Sequence, residues 1–243
     1  MTEQQTAARV AGFLYLFTNV TAIFAYSVRA QLRVRGDAVQ TAANIAGSER
    51  LFRIGIATEL ITVAGVIMLV AALYVVVRPV NRNVAILAAF WRLAENLVLA
   101  VATLPAFAAL TLLSGADFLQ PIDTQQLQAL AYACLRVHVT GINLGFVFLG
   151  LGSAAFSYLL WKSRYIPRAL AALGIVASLV LAAATLAILI FPGLAAVLTL
   201  AYMAPMGIYE FTLGFWLLVK GLRTPAVTGT GPVAGSTVPA PRE

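Results

Sequence analysis

Six stretches of this sequence, at about residues 9–29, 54–77, 83–104, 139–161, 168–190 and 197–219, are apolar over the length a helix needs to cross a bilayer. About 20 residues rising 1.5 Å each match ~30 Å of hydrocarbon. Inside hydrocarbon a segment must also satisfy its own backbone hydrogen bonds, which a helix does. A water-soluble fold is excluded by the small supply of polar surface. Of the 243 residues, 61% are hydrophobic and 10% charged, against roughly 25% charged in soluble domains. The expected fold is all-α, a polytopic membrane bundle of six transmembrane helices. The first stretch reads as a span and not a secretory signal, because its apolar region exceeds the ~7–15 residues of such signals.

The short loops orient the spans. Arg78 and Arg82 lie between spans two and three, Lys162, Arg164 and Arg168 between four and five, and Lys220 and Arg223 after span six. Basic residues favour the cytoplasmic side, so both termini are expected to be cytoplasmic, in a multi-pass protein of the inner (plasma) membrane. Nucleic acid is not an expected partner, although the net charge is +7. The basic residues punctuate apolar runs and form no stripe interleaved with aromatics. Membrane lipids are the expected partners. One cysteine, Cys134, and one histidine, His138, leave no Cys/His cluster, so no metal and no cofactor is expected.

The first outer loop, with VRGDAVQTAANIAGSERLF at its centre, breaks the charge rule with Arg29, Arg33, Arg35, Arg50 and Arg53. Asp37 and Gln40 have capping-box spacing, Gly47 can end the short helix, and Ser48 can cap span two. This element reads as an interfacial helix or as a basic lid that recruits anionic headgroups. Asp123 can start a helix that runs on into span four, either projecting outward or bending near Gly141. Pro105 is expected to break the end of span three. Residues 1–223 form the membrane domain, and the Pro/Gly/Thr-rich tail 224–243 is expected to be disordered.

Polar residues inside the spans fall into two layers. Arg92 and Glu95 of span three, Glu210 of span six, and Asn19 and Asn96 lie about 13–18 Å from the cytoplasmic ends at 1.5 Å per residue. Glu59, Arg136 and His138 lie near the outer boundary, with Asn143 just beneath. Arg92 and Glu95, at i and i+3, share one helical face, which lowers the cost of burying either charge. One guanidinium stands against two midplane carboxylates, so one glutamate is expected to hold a proton. In this reading Glu210, Glu95 and Arg92 carry acid–base chemistry, and Glu59, Arg136, His138, Asn143, Asn19 and Asn96 bind a polar head. The plainer alternative is that ion pairs and asparagines hold helices together, with the GINLG glycines as close-packing positions.

The phrases GDAVQTAANI with SERLFRIG, RPVNRNVAILAAFWRLAEN, LRVHVTGINLGFVFLGLGS and SRYIPRALAALGI resemble a bacterial family of six-span membrane proteins catalogued only as a domain of unknown function. The resemblance runs from Arg9 to Arg223. It implies the six-span architecture and places Arg92, Glu95, His138 and Glu210 at positions that relatives also use. It supplies no substrate. Phe90 and Trp91 before Arg92 are bulkier than the family pattern and would narrow a pocket.

Three functions follow from these residues. The first is an intramembrane lyase, isomerase or cyclase, or a binder, acting on a lipid-like prenyl, terpenoid or acyl molecule that arrives from the membrane or the outer face. The second is a structural or accessory scaffold. The third is a proton-coupled transporter subunit, for which six spans would call for a homo-oligomer. Spans one to three show no repeat in four to six, and the inner halves of spans two, four and six are apolar, both of which weigh against transport.

Overall fold

The computed structural model describes residues 2–223; the expected disordered tail lies outside them. The described residues form seven α-helices: α1 (Glu3–Leu32), α2 (Ala38–Gly47), α3 (Glu49–Val77), α4 (Arg82–Leu112), α5 (Thr124–Ser163), α6 (Arg168–Ile190) and α7 (Ala195–Val219). All but α2 are long and apolar enough to cross a membrane. These six close into a ring in chain order. Each packs on the next, and α7 returns to α1. In that ring α4 stands opposite α7. Large apolar side chains such as Val101, Leu104, Leu200 and Phe215 are exposed on the outside, which a lipid environment satisfies. Both ends of the described chain lie at one end of the bundle, where the Leu222 N–H donates to Gln5 Oε1 at 3.0 Å.

The helices have unequal lengths for a physical reason. α6 and α7, with 23 and 25 residues, match the hydrocarbon thickness. α1, α3, α4 and α5, with 30, 29, 31 and 40 residues, run past it at the end away from the termini. There Leu32, Ile45, Phe52, Ile56, Leu110 and Leu135 help form a second apolar core, separate from the main one. Hydropathy locates the lipid-crossing part of each helix and misses the part that protein covers. Pro105 does not break α4. The helix continues to Leu112, because Ala106, Ala109 and Leu110 are buried in the second core and neighbouring helices make a proline tolerable.

α2 begins at Asp37, whose side chain accepts from the Gln40 N–H at 2.8 Å. Gln40 turns to Asn44 instead of reaching back to Asp37, so the capping box is half formed. Ser48 stands at the start of α3 without a side-chain cap bond. Asp123 caps α5 through the Gln125 and Gln126 N–H groups, and α5 runs unbroken past Gly141 as a projecting helix.

Candidate functional site

Arg92 and Glu95 are each 3% exposed inside the ring, with Nη1 and Oε2 2.8 Å apart. Gly152 of α5 makes room for this pair. A Cβ at Gly152 would lie 2.7 Å from Arg92 Cγ and 3.1 Å from the Ala88 carbonyl oxygen. The guanidinium has Glu95, Glu210 and Tyr15 within electrostatic reach, and Glu210 has Arg92 and Asn19. Three helices, α1, α4 and α7, therefore turn polar side chains toward one another across the ring. Arg92 Nη1 and Glu95 Oε2 are each other's partners, whereas Asn96 Oδ1 is buried without a hydrogen-bond partner. Asn19 and Asn96 do not bridge helices through their amide nitrogens. Each Nδ2 donates back to its own helix, at Tyr15 O (2.9 Å) and Arg92 O (2.7 Å).

Two tyrosines of this layer are absent from the sequence reading. Tyr15 lies four residues before Asn19 and so shares its face, a signal the sequence does contain. Tyr209 crosses the bundle to Ser157 of α5, hydroxyl to hydroxyl at 2.7 Å. Its direction is a tertiary fact. Toward the termini the ring is filled by Leu159, Leu160, Leu213 and Leu217.

The outer cluster differs from its expected composition. Glu59 of α3 pairs with Arg29 of α1. His138 Nε2 lies 2.8 Å from Arg29 Nη1 and 3.3 Å from Glu59 Oε2. The imidazole Nδ1 lies 2.7 Å from the Ala102 carbonyl. A carbonyl only accepts, so Nδ1 carries a proton, and Nε2 accepts from Arg29. Arg136 is exposed and stands outside this cluster. Two residues from His138 on a helix, it cannot share that face. Asn143, seven residues before Gly150, lies on the α5 face that meets α6 and joins neither cluster.

On α4 seven to ten residues separate Glu95 and Arg92 from Ala102, whose carbonyl meets His138, so the two layers stand about 10–15 Å apart along the axis. Gly150 of α5 meets Ser178 and Ala182 of the antiparallel α6, which ends at Ile190. The outer cluster thus lies where the six-helix ring gives way to four helices and α2. Two clefts beside it share Arg29, Phe52 and Leu135, and each has about 10 Å³ of room, one water molecule's worth. The GINLG glycines pack helices. A Cβ at Gly141 would lie 2.6 Å from that of Ala102, and one at Gly145 would lie 3.0 Å from Leu99. Among the described residues no three metal-ligating side chains converge.

A ring of six lipid-crossing helices around buried charge defines a multi-pass integral membrane protein. The chain belongs to the family described as Domain of unknown function (DUF4386), matched over residues 10–221. No curated protein and no solved structure matches it.

Proposed function

We propose that the ring interior binds an amphipathic, lipid-like molecule of prenyl, terpenoid or acyl type, with Glu210 as proton donor to its head and Arg92 holding Glu95 as the charged partner. One observation carries this reading. Deep in the ring one guanidinium, Arg92, bonded to Glu95 at 2.8 Å, also has a second carboxyl, Glu210, and Tyr15 within electrostatic reach. A pair retained only as glue balances one guanidinium with one carboxylate, and placing a second carboxyl beside it adds a burial cost that glue does not require. Access from the bilayer is supported by the α1/α7 seam. It is close-packed at Gly12 and Gly214 and looser outward, where Asn19 and Glu210 are half-buried and Ile23 and Leu200 are exposed. The leucines that fill the ring toward the termini weigh against a transport path.

The test compares wild type with Glu210→Gln, each purified in mild detergent and extracted for mass spectrometry of retained lipids. Wild type is expected to retain a defined species that Glu210→Gln loses at least tenfold, while the variant melts at or above wild type. A carboxyl kept for function is held at a cost to stability. Bulk lipid alone on wild type, or a variant melting well below it, returns the protein to the scaffold reading.

We also propose that the termini face the cytoplasm. Arg78, Arg82, Arg164 and Lys162 gather at that end, and Arg168 and Arg223 stand 5.6 and 5.1 Å over the Trp161 and Trp216 rings, as interfacial anchors do. A fluorescent protein fused to the C-terminus is expected to glow in a bacterial host and an alkaline phosphatase to stay inactive; the reverse pattern inverts the orientation.

A further inference from the structure

The end of the bundle away from the termini gathers arginines that lack partners. Arg33, just past α1 and half-buried, has Arg29, Arg35 and Arg136 as like charges within electrostatic reach. Of these four only Arg29 has a carboxylate, Glu59. Among the described residues the other three make no ion pair. Asp37, the closest acid in sequence, is occupied in capping α2. Burial, reinforced by the three neighbouring guanidinium groups, pushes Arg33 below its ordinary range. Crowding like charges costs energy that an arriving anion would return.

The backbone carrying these arginines is fixed in place. Gly36, at φ +80°, points its N–H at the Tyr132 hydroxyl of α5, 2.8 Å away. Arg136 follows Tyr132 by one turn on the same face. The Val34 N–H donates to Thr41 Oγ1 at 3.0 Å, and Asn44 Nδ2 donates to Leu32 O at 3.2 Å. Adjoining this turn is a cleft lined by Arg29, Arg33 and the apolar Leu32, Ile45, Phe52 and Leu135.

We infer that this turn is a phosphate-binding site, in which Arg33, Arg35 and Arg136 hold the phosphate monoester headgroup of a membrane lipid. Guanidinium forks match phosphate oxygens pairwise, which suits arginines gathered on this turn and on the adjoining turn of α5 to this anion. The site is separate from the ring interior and stands or falls independently of it.

The full chain in a neutral detergent is titrated with dihexanoyl phosphatidic acid, inorganic phosphate and dihexanoyl phosphatidylcholine, with binding followed by calorimetry and by thermal midpoint. Phosphatidic acid is expected to bind saturably and raise the midpoint. Arg33→Gln/Arg136→Gln is expected to lose at least tenfold in affinity, Arg136→Gln alone to lose part of it, and the exposed Arg50→Gln to bind as wild type. Inorganic phosphate binding as tightly as the lipid makes free phosphate the source; binding tenfold weaker makes it a lipid headgroup. Without anion the variants are expected to melt no lower than wild type. Absence of saturable binding by either phosphate compound, unchanged binding by the double variant, or a steep anion-free loss of stability in Arg136→Gln overturns the assignment.

Discussion

Glu95→Gln is expected to unfold far below wild type, and Arg92→Met by a smaller margin. Both residues are 3% exposed, so removing one strands the other. Breaking a buried pair in this way costs about 3–5 kcal/mol. At about 2–4 °C per kcal/mol for a chain of this size, the midpoint in mild detergent falls by roughly 6–20 °C. The two losses differ because the stranded groups differ. Without Arg92 the remaining carboxyl can neutralise itself by taking up a proton. Without Glu95 the guanidinium cannot give one up. Arg92→Met/Glu95→Leu removes both charges and is expected to recover most of the loss, since an apolar replacement of a buried pair is often neutral or stabilising. Thermal unfolding of the four proteins checks this. Single variants that melt like wild type would mean that the pair is not coupled as its geometry indicates.

The architecture was largely legible because a bilayer imposes a length and a polarity that composition alone can meet. The ends near the termini, Val77, Arg168 and Val219, fall where the apolar runs stop. The opposite ends of α1, α3, α4 and α5 were not legible, since there protein replaces lipid as the apolar environment and the hydropathy signal fades. Depth was readable from residue counts, which placed Glu95 and Glu210 in one layer. Azimuth was only partly readable. Helical spacing alone removes Arg136 from the face of His138, yet nothing in the sequence links Arg29 of α1 to Glu59, thirty residues on in another helix. In the sequence Arg29 is one of the outer-loop arginines that break the charge rule, and only packing turns it inward to Glu59. The approach of Glu210 and Tyr15 to the Arg92–Glu95 pair is likewise a property of three helices meeting, not of any one.

Alanine substitutions at glycine are expected to produce a graded loss of stability, steepest at Gly12. A Cβ there would lie 2.7 Å from the Gly214 carbonyl oxygen and 2.9 Å from the Leu217 carbonyl carbon. Both are backbone atoms of α7, which cannot rotate aside. One methyl must therefore push α1 from α7, and overpacking of this kind costs about 1–3 kcal/mol or more. At Gly145 the same methyl meets the Leu99 side chain at 3.0 Å, which can change rotamer. At Gly47, the last residue of α2, it meets nothing within 4 Å. Alanine there keeps the helical gain of about 0.5–1 kcal/mol over glycine. The expected order of thermal midpoints is Gly47→Ala at or above wild type, then Gly145→Ala, then Gly12→Ala lowest. The order matters for the ring interior as well as for the fold. Gly12 and Gly214 form the tight part of the seam whose outer part holds Asn19 and Glu210, so parting the helices at Gly12 opens the route to the buried acid. Gly12→Ala is therefore expected to lose the retained lipid-like species together with its stability, whereas Gly145→Ala, on the far side of the ring, loses stability and keeps the species. Equal retention by both variants would separate the α1/α7 seam from ligand access.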